Sequence, residues 1–302
     1  MEKKIIHIVV AILAFVILDI GIASVLKLGV DNYFGLNQRA DVLLIGHSHL
    51  MLSIDKQKME NDLRIKVSKY CREGADVEDK YFMTKQYLDS RYSDSLRVLM
   101  YGVDLFTFSP GGLSSNSYMM FYPFMDNEDI NQMIRKYSSN IDYWTHKLVK
   151  TYRYNESTIK NAAIRGLMDD WSNKKYGQVD IEAYKKVINN HQERHIYMNP
   201  KCINRFIETV KMATDRGIRV ILVNTPTLDI LNSYEPEQFA KICQWYRDFA
   251  AKEKLVEYWD YNPEYSNRHE LFYDRLHLNT KGQLIINKLI TNHLCNILHE
   301  QK

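Results

Sequence analysis

Short apolar runs alternate along the chain with longer segments of helical periodicity. Continuous apolar runs are typical of strands buried on both faces, whereas amphipathic spacing that ends at a glycine is typical of helices. The predicted strands cover 41–45, 64–70, 97–101, 219–223 and 255–259, and the predicted helices cover 76–91, 203–216, 236–253 and 280–298. The segment 64–70 differs from the other strands, because it alternates with period two and is expected nearer an edge of the sheet. The alternation of strands and helices indicates an α/β fold with a mostly parallel five-stranded sheet covered on both faces.

The middle of the chain, about 109–199, contains no clear buried strand and is polar and rich in Tyr and Asn. We predict a helical insertion here. Two roles are open for it: a cap that contributes to ligand binding, or a side layer of helices with no part in binding.

The N-terminal region contains an apolar run from Ile5 to Leu26. About 22 residues at a rise of about 1.5 Å each are long enough for the hydrocarbon core of a bilayer, about 30 Å thick. A cleaved signal peptide normally has a shorter apolar core and a small-residue cleavage site, so an uncleaved transmembrane anchor is favoured. A cleaved signal and a buried soluble helix are the alternatives.

The charges around this run predict its orientation. Lys3 and Lys4 precede it and Lys27 follows it, which favours a cytoplasmic N-terminus. We therefore divide the chain into a cytoplasmic stub and anchor, residues 1–27, and an extracytoplasmic domain, residues 28–302. Asp19 lies within the run, as does His7; Asp19 is expected to reach the interface, to pair with a partner helix or to lie in a thinned bilayer.

Composition narrows the class of protein. Of 302 residues, 45% are apolar and 25% charged, as in a foldable globular chain. The net charge of +3 is too small for a nucleic-acid binder held by bulk charge. Four widely spaced cysteines form no C-x-x-C pair, so they predict either one or two disulfides or buried free thiols. Glycine-rich phosphate-binding motifs are absent from the sequence, and we predict no cofactor.

Residue types suited to nucleophilic catalysis occur at two distant places. The first predicted strand runs into Gly46-His47-Ser48-His49, and Asp274 and His277 stand three positions apart before the last helix. A serine hydroxyl is a weak nucleophile unless a base removes its proton and a third group orients that base. Because ligand sites of such sheets form at the carboxyl ends of the strands, Ser48 is placed where this chemistry is expected.

This combination resembles the SGNH (GDSL-like) hydrolase superfamily, over about residues 41–298. The resemblance implies a three-layer α/β/α, flavodoxin-like fold in which Ser48 is the nucleophile, His277 the general base and Asp274 its orienting group. It also implies that the backbone N–H groups of Ser48 and Gly74 bind the oxyanion, each such donor being worth about 3–4 kcal/mol.

One block of the family pattern differs in this chain. Where the family has Gly-x-Asn-Asp, this sequence has Gly102-Val103-Asp104-Leu105, and an ionised carboxylate cannot donate a hydrogen bond to an oxyanion. Either Asp104 is protonated and donates, or it packs elsewhere, or the oxyanion hole has only two donors. His47, His49 and Asn224 are weaker candidates, placed in substrate binding by their positions after strands.

A membrane anchor followed by G-x-S-H and a late D-x-x-H-L-N is similar to the membrane-anchored branch of the superfamily. That branch includes bacterial proteins for O-acetylation of exopolysaccharides and for D-alanylation of teichoic acids. The resemblance implies a serine esterase or O-acyltransferase that acts on an ester of a cell-envelope carbohydrate polymer. It implies as partners the lipid bilayer, that polymer and, for a transferase, a multi-span membrane protein that donates acyl groups; no nucleic acid is expected.

Two other hypotheses for the function remain open. His47, His49, Asp274 and His277 are all residue types that bind zinc, and a zinc-bound water would then replace Ser48 as nucleophile. Alternatively the chain is a non-catalytic envelope scaffold on a decayed hydrolase fold, as the Asp104 departure and the long insertion suggest.

Overall fold

The computed structural model describes residues 2–110, 116–191 and 193–300. The strands are β1 Val42–Gly46, β2 Val67–Cys71, β3 Val98–Val103, β4 Arg219–Asn224 and β5 Val256–Asp260. The α-helices are α1 Glu2–Phe34, α2 Ser48–Ser53, α3 Lys56–Leu63, α4 Val77–Leu88, α5 Glu128–Tyr137, α6 Asn140–Leu148, α7 Ser157–Leu167, α8 Ile181–Asn189, α9 Pro200–Thr214, α10 Asp229–Asn232, α11 Pro236–Lys252, α12 Asn262–Tyr265 and α13 Thr280–Glu300. Short 3₁₀ helices span Ser93–Ser95, Ser117–Phe124, Lys150–Tyr154 and His269–Leu271.

The five strands form one sheet in the order β2-β1-β3-β4-β5, and every neighbouring pair is parallel. The predicted α/β fold with a five-stranded sheet is confirmed. This strand order is the flavodoxin-like one, in which the chain reverses its direction of progress between β1 and β3. Ile45 of β1 is in register with Tyr101 of β3, so the two strands end side by side at the switch point.

The sequence explains why these strands lie inside. Every residue of β1, β2 and β3 is buried. Continuous apolar runs predict this for β1 and β3. β2 belongs to the segment that alternates with period two and lies at the edge of the sheet, as predicted, but its polar residues are buried as well. β5 is only half-buried beyond its first residue, which suits its place at the edge of the sheet. Cys71, Cys202, Cys243 and Cys295 are free thiols in the part of the chain that the structure describes.

The chain divides into two compact units. One comprises Met1–Asn37 and Asn116–Asp170, and the other comprises Gln38–Ser115 and Trp171–Lys302. The second unit contains the whole sheet. The predicted insertion, about 109–199, is thus shared between the units, apart from residues 111–115 and 192, which lie outside the described residues.

In the first unit, α1 is long and apolar enough to cross a membrane. It continues to Phe34, seven residues beyond the predicted end of the anchor, and it is exposed as far as residue 18. From Asp19 onward one side of the helix is buried, at Asp19, Ala23, Gly29, Val30 and Phe34. This buried side contacts α7 and the 3₁₀ helix Lys150–Tyr154.

The contact between α1 and α7 depends on two glycines. A Cβ atom on Gly29 would lie 2.1 Å from the carbonyl oxygen of Ala163, and one on Gly166 would lie 1.8 Å from that of Gly29. Small residues let two helix backbones approach closely, as in pairs of transmembrane helices. The side-chain amide of Asn32 also donates a hydrogen bond to the carbonyl oxygen of Gly166, at 3.2 Å.

We predict that Gly166→Ala destabilises the first unit, because the added methyl group must push the two helices apart. Overpacking of this kind costs typically about 1–3 kcal/mol. The measurement is the thermal unfolding of the full chain in detergent micelles. The matched control is Gly21→Ala in α1, where nothing lies within 4 Å of the new Cβ, so its midpoint should stay unchanged or rise. Equal midpoints for both variants would contradict the close contact.

Candidate active site

Ser48 is the first residue of α2, directly after β1. His47 caps this helix: its Nδ1 accepts a hydrogen bond from the backbone N–H of His49 at 3.2 Å. α2 lies close over the strand ends because Leu50 packs on glycines: a Cβ on Gly46 or on Gly102 would lie 3.0 Å from Leu50. The two glycines that end β1 and precede the end of β3 thereby hold the serine at the switch point of the sheet.

A tight loop holds Asp274 and His277 together. The backbone N–H of Tyr273 donates to the carbonyl oxygen of His277 at 2.8 Å, which closes the loop. Oδ1 of Asp274 accepts from the backbone N–H groups of Leu276 and His277, at 2.7 and 2.8 Å. An aspartate that bonds to the backbone two and three residues ahead fixes its own carboxylate within the turn. The D-x-x-H spacing therefore places the carboxylate against the imidazole.

The three side chains form a continuous hydrogen-bonded series. His277 Nδ1 lies 2.8 Å from Asp274 Oδ2 and 3.0 Å from Oδ1, and His277 Nε2 lies 2.7 Å from Ser48 Oγ. Since the carboxylate accepts the Nδ1 proton, Nε2 is free to accept the proton of the serine hydroxyl. The structure thus brings together residues 229 positions apart in the chain in the geometry of a nucleophile, base and orienting acid.

The surroundings keep Asp274 ionised. Burial raises the pKa of its carboxyl, but the hydrogen bond and charge of His277 and two backbone N–H groups lower it by more, so the pKa lies below its usual value. The side chains of His277 and Asp274 are 22% and 37% exposed, whereas Ser48 is buried. The series therefore runs from the surface inward to the nucleophile.

A second group of polar side chains lies buried beside the serine. Asp104 Oδ2 is 3.3 Å from His47 Nε2 and 3.5 Å from His49 Nδ1. Its Oδ1 accepts hydrogen bonds from the N–H of Phe106 at 2.9 Å and from the hydroxyl of Thr107 at 3.0 Å. All three side chains of this buried cluster, His47, His49 and Asp104, are almost fully enclosed.

Burial sets the charges of this cluster. It lowers the pKa of His47 well below the usual value and that of His49 to about 4, so both rings are neutral at pH 7. It raises the pKa of the Asp104 carboxyl, but the two facing imidazoles, the Lys80 ammonium and the Thr107 hydroxyl lower it by more, and Asp104 stays ionised. Of the three alternatives for Asp104, these contacts favour an acceptor that packs away from the oxyanion.

The cluster has the donor types of a metal site. The ligand atoms of His47, His49 and Asp104 all lie within 4.8 Å of one another. This set of residues differs from the predicted zinc ligands, because Asp274 and His277 form the hydrogen-bonded series with Ser48 instead. A histidine that binds a metal usually donates its other ring N–H to a neighbour. His47 Nδ1 instead accepts a hydrogen bond, which assigns the ring proton to Nε2, the atom that would have to bind the metal. The acceptor role of His47 Nδ1 therefore argues against a zinc site at this cluster.

The remaining predicted site residues lie at the ends of other strands. Gly74 has a positive φ of 73° in the turn between β2 and α4, and its part in oxyanion binding stays a prediction. Asn224 ends β4, and its side-chain amide donates to the hydroxyl of Tyr258 at 3.0 Å and to the carboxylate of Asp260 at 3.1 Å. Its amide N–H groups thus bond to β5, so the structure adds nothing in favour of substrate binding by Asn224.

Sequence reasoning assigned no role to three residues that support the site. Lys80 of α4 is buried and donates from Nζ to the carbonyl oxygen of Gly102 at 2.9 Å. The hydroxyl of Tyr246 donates to the carbonyl oxygen of Asp104 at 3.0 Å. Asn279 fastens the Asp274–His277 loop, since its amide donates to the carbonyl oxygen of Phe272 and its Oδ1 accepts from the N–H of Gly282 in α13. Two signals in the sequence could have indicated these roles: Lys80 lies on the apolar side of α4, and Asn279 stands directly before α13.

A pocket of about 750 Å³ lies elsewhere in the second unit, lined by residues of α10, α11, β5 and α12 such as Asn232, Phe239 and Asp260. None of the residues that line it belongs to the Ser48–His277–Asp274 series or to the buried cluster.

No protein-family model matches the chain, and no curated protein matches it significantly. Among solved structures, the chain is similar to a protein from Streptococcus pneumonia provisionally described as a platelet activating factor, with 11% identity, 95% of this chain and 99% of that chain covered, and a TM-score of 0.41. It is also similar to a lipase from a goat rumen metagenome, with 11% identity, 84% and 96% of the two chains covered, and a TM-score of 0.37.

The neutral, buried histidines predict acid sensitivity. Unfolded histidines take up protons below about pH 6.5, whereas His49 in the folded chain does so only near pH 4. The free energy of unfolding should therefore fall as the pH is lowered through this window, by up to about 1.4 kcal/mol per pH unit for each such histidine. Urea unfolding of the full chain in detergent should show a shallower fall for His49→Gln than for the unchanged protein. Parallel curves would contradict a buried neutral His49.

Proposed function

We propose that the protein is a membrane-anchored serine esterase or O-acyltransferase that acts on ester groups of a cell-envelope carbohydrate polymer. The observation that carries this proposal is the series from Ser48 Oγ through His277 to Asp274, with both links at 2.7–2.8 Å. This arrangement activates a hydroxyl for attack on a carbonyl carbon, whereas a decayed scaffold has no need to maintain it.

The chemistry proceeds in two steps. Ser48 Oγ attacks the ester carbonyl while its proton moves to His277 Nε2, and Asp274 stabilises the resulting imidazolium. Collapse of the tetrahedral intermediate breaks the bond to the leaving alcohol, which takes the proton from Nε2, and an acyl-Ser48 ester remains. Water or a sugar hydroxyl then attacks this ester and gives its proton to Nε2. The acyl–Oγ bond breaks, Nε2 returns the proton to Ser48 Oγ, and the acyl group leaves on the attacking oxygen.

Two backbone amides are assigned to the oxyanion. Ser48 is the first residue of α2, and the N–H groups in the first turn of a helix have no acceptor within the helix. Gly74 is the second donor that we assign, by its place after β2. Asp104 is not among the donors, because an ionised carboxylate would repel the developing negative charge.

Two stacked tyrosines favour a carbohydrate as substrate. Tyr273 directly precedes Asp274, is 42% exposed and stacks on Tyr176 with ring centroids 4.3 Å apart. Tyrosine offers a flat apolar face with a polar hydroxyl, a surface suited to the faces of sugar rings. The side chains of His277 and Asp274 are partly exposed beside this tyrosine pair, which suits a polymer bound along the surface.

The N-terminal helix provides the attachment to the membrane. α1 is long and apolar enough to span it, and Lys3 and Lys4 favour a cytoplasmic N-terminus, which directs the sheet-containing unit to the extracytoplasmic side. If the reaction is a transfer, the acyl group comes from a donor protein in the same membrane.

We predict that a fluorophosphonate probe labels the full chain at Ser48, and that p-nitrophenyl acetate adds the mass of one acetyl group to the intact protein. Ser48→Ala should abolish both reactions, and His277→Ala should lower turnover of p-nitrophenyl acetate by roughly 10⁴-fold or more, because Ser48 then lacks its base. Ser233→Ala is the matched control: this exposed serine donates only to the carbonyl oxygen of Asp229, and its replacement should change nothing.

The two alternative hypotheses, a non-catalytic scaffold and a zinc hydrolase, predict different results in the same assay. A scaffold would show no labelling and no acetyl adduct. A zinc hydrolase would lose turnover when EDTA is added and keep it in Ser48→Ala. Either result would overturn the serine mechanism.

A further inference from the structure

In the first unit, α6 exposes a row of large apolar side chains. Ile141, Trp144 and Leu148 are 83%, 52% and 73% exposed. They stand three and four positions apart, so they project from one side of the helix. We refer to these three residues as the 141–148 face. Isolated exposed apolar residues are ordinary, but a helix side made of them marks a contact with a membrane or a partner.

The orientation of α6 is fixed by its other side. Tyr143 and His146 are buried, and the ring of His146 stacks on Tyr122 with centroids 3.6 Å apart. The carbonyl oxygen of His146 accepts a hydrogen bond from Arg153 Nε at 2.9 Å. The 141–148 face therefore points outward because its opposite side is packed, and turning it inward would expose this packed layer.

Asp19 relates α6 to the depth of the membrane. Its carboxylate accepts hydrogen bonds from the backbone N–H groups of Lys150 and Thr151 at 2.7 and 2.9 Å, and from the Thr151 hydroxyl at 2.5 Å. Lys150 follows Leu148 by only two positions. The end of α6 is thus held at the level of residue 19 of α1.

The length of the apolar run of α1 determines the depth of Asp19 in the bilayer. From Ile5 to Asp19 the helix rises about 21 Å, which is less than the hydrocarbon thickness of about 30 Å. A full span therefore extends about 9 Å beyond Asp19, and a tilt of the helix only increases this requirement. The exposed apolar side chains of Ile20, Ile22 and Val25 are consistent with lipid at these positions. Whatever contacts Asp19 must then lie within the outer leaflet.

We infer that the 141–148 face is embedded in the acyl chains and interface of the outer leaflet, as a second membrane contact beside the α1 span. The inference rests on the proposed membrane anchoring. It explains how a carboxylate is tolerated inside the apolar run, since the fold brings three donors to it at that depth. Lipid is the occupant because Asp19 holds the end of α6 within the apolar run of α1, and because Trp is enriched where hydrocarbon meets headgroups.

The test uses quenching of tryptophan fluorescence by brominated lipid. The full chain is reconstituted into nanodiscs of phosphatidylcholine and phosphatidylglycerol, in which the phosphatidylcholine carries bromine on its acyl chains or does not. We expect bromine to quench the emission, and we expect Trp144→Phe to lose most of this quenching. Trp245→Phe is the control, because Trp245 of α11 is packed against Phe249 with centroids 5.2 Å apart, and this variant should keep the quenching.

The outcomes separate this inference from the anchoring on which it rests. Retention of the chain in the nanodisc after an alkaline carbonate wash reports the anchor alone. Retention with equal quenching in the unchanged protein and in Trp144→Phe would overturn the inference while the anchor stands. Absence of quenching with two chains per nanodisc would assign the 141–148 face to a second copy of the chain and would also overturn it. A chain that is released by the wash would remove the anchor, and the inference with it.

Discussion

The hydrogen bond of 2.7 Å between Ser48 Oγ and His277 Nε2 joins the two ends of the sheet-containing unit. One partner is positioned by the first strand and the other by the loop before the last helix, so this contact depends on the tertiary fold that brings these two segments together. Because parallel strands all end at one edge, a residue that follows β1 and a residue that precedes α13 can meet there. The candidate chemistry is in this sense a consequence of the strand order.

The polar groups beside Ser48 show how buried polar side chains are accommodated at the carboxyl edge of the sheet. Asp104, His47 and His49 are buried where β1 and β3 end, and a buried carboxylate is costly unless it receives hydrogen bonds. Here Phe106 and Thr107 donate to one oxygen, and neutral imidazoles face the other. The aspartate that departs from the expected family pattern is thus held by hydrogen bonds from its own loop, with the imidazoles of His47 and His49 facing its other oxygen.

The unit that contains α1 likewise provides a buried carboxylate with hydrogen-bond donors from its own fold. Asp19 is an isolated acid in an apolar helix, and it is paired with the backbone of Lys150 and Thr151 and with the Thr151 hydroxyl. Gly29 and Gly166 bring α1 and α7 into backbone contact farther along the helix. Polar groups that find internal partners and small residues at helix crossings are both features of proteins adapted to lipid.

Local pattern alone determined much of this protein. Apolar runs and one segment of period-two alternation located the five strands. The Gly-x-Ser and D-x-x-H spacings located the candidate triad, and the run from Ile5 to Leu26 located the long helix. Each of these depends on residues close together in the chain, where periodicity and turn chemistry act directly. Only the tertiary structure decided that Asp104 faces His47 and His49, that Asp19 receives its donors from residues 131 and 132 positions away, and that the middle segment is divided between two units. Contacts of this kind arise from packing between distant segments, and a single sequence carries no local signal for which distant segment a buried polar group will meet.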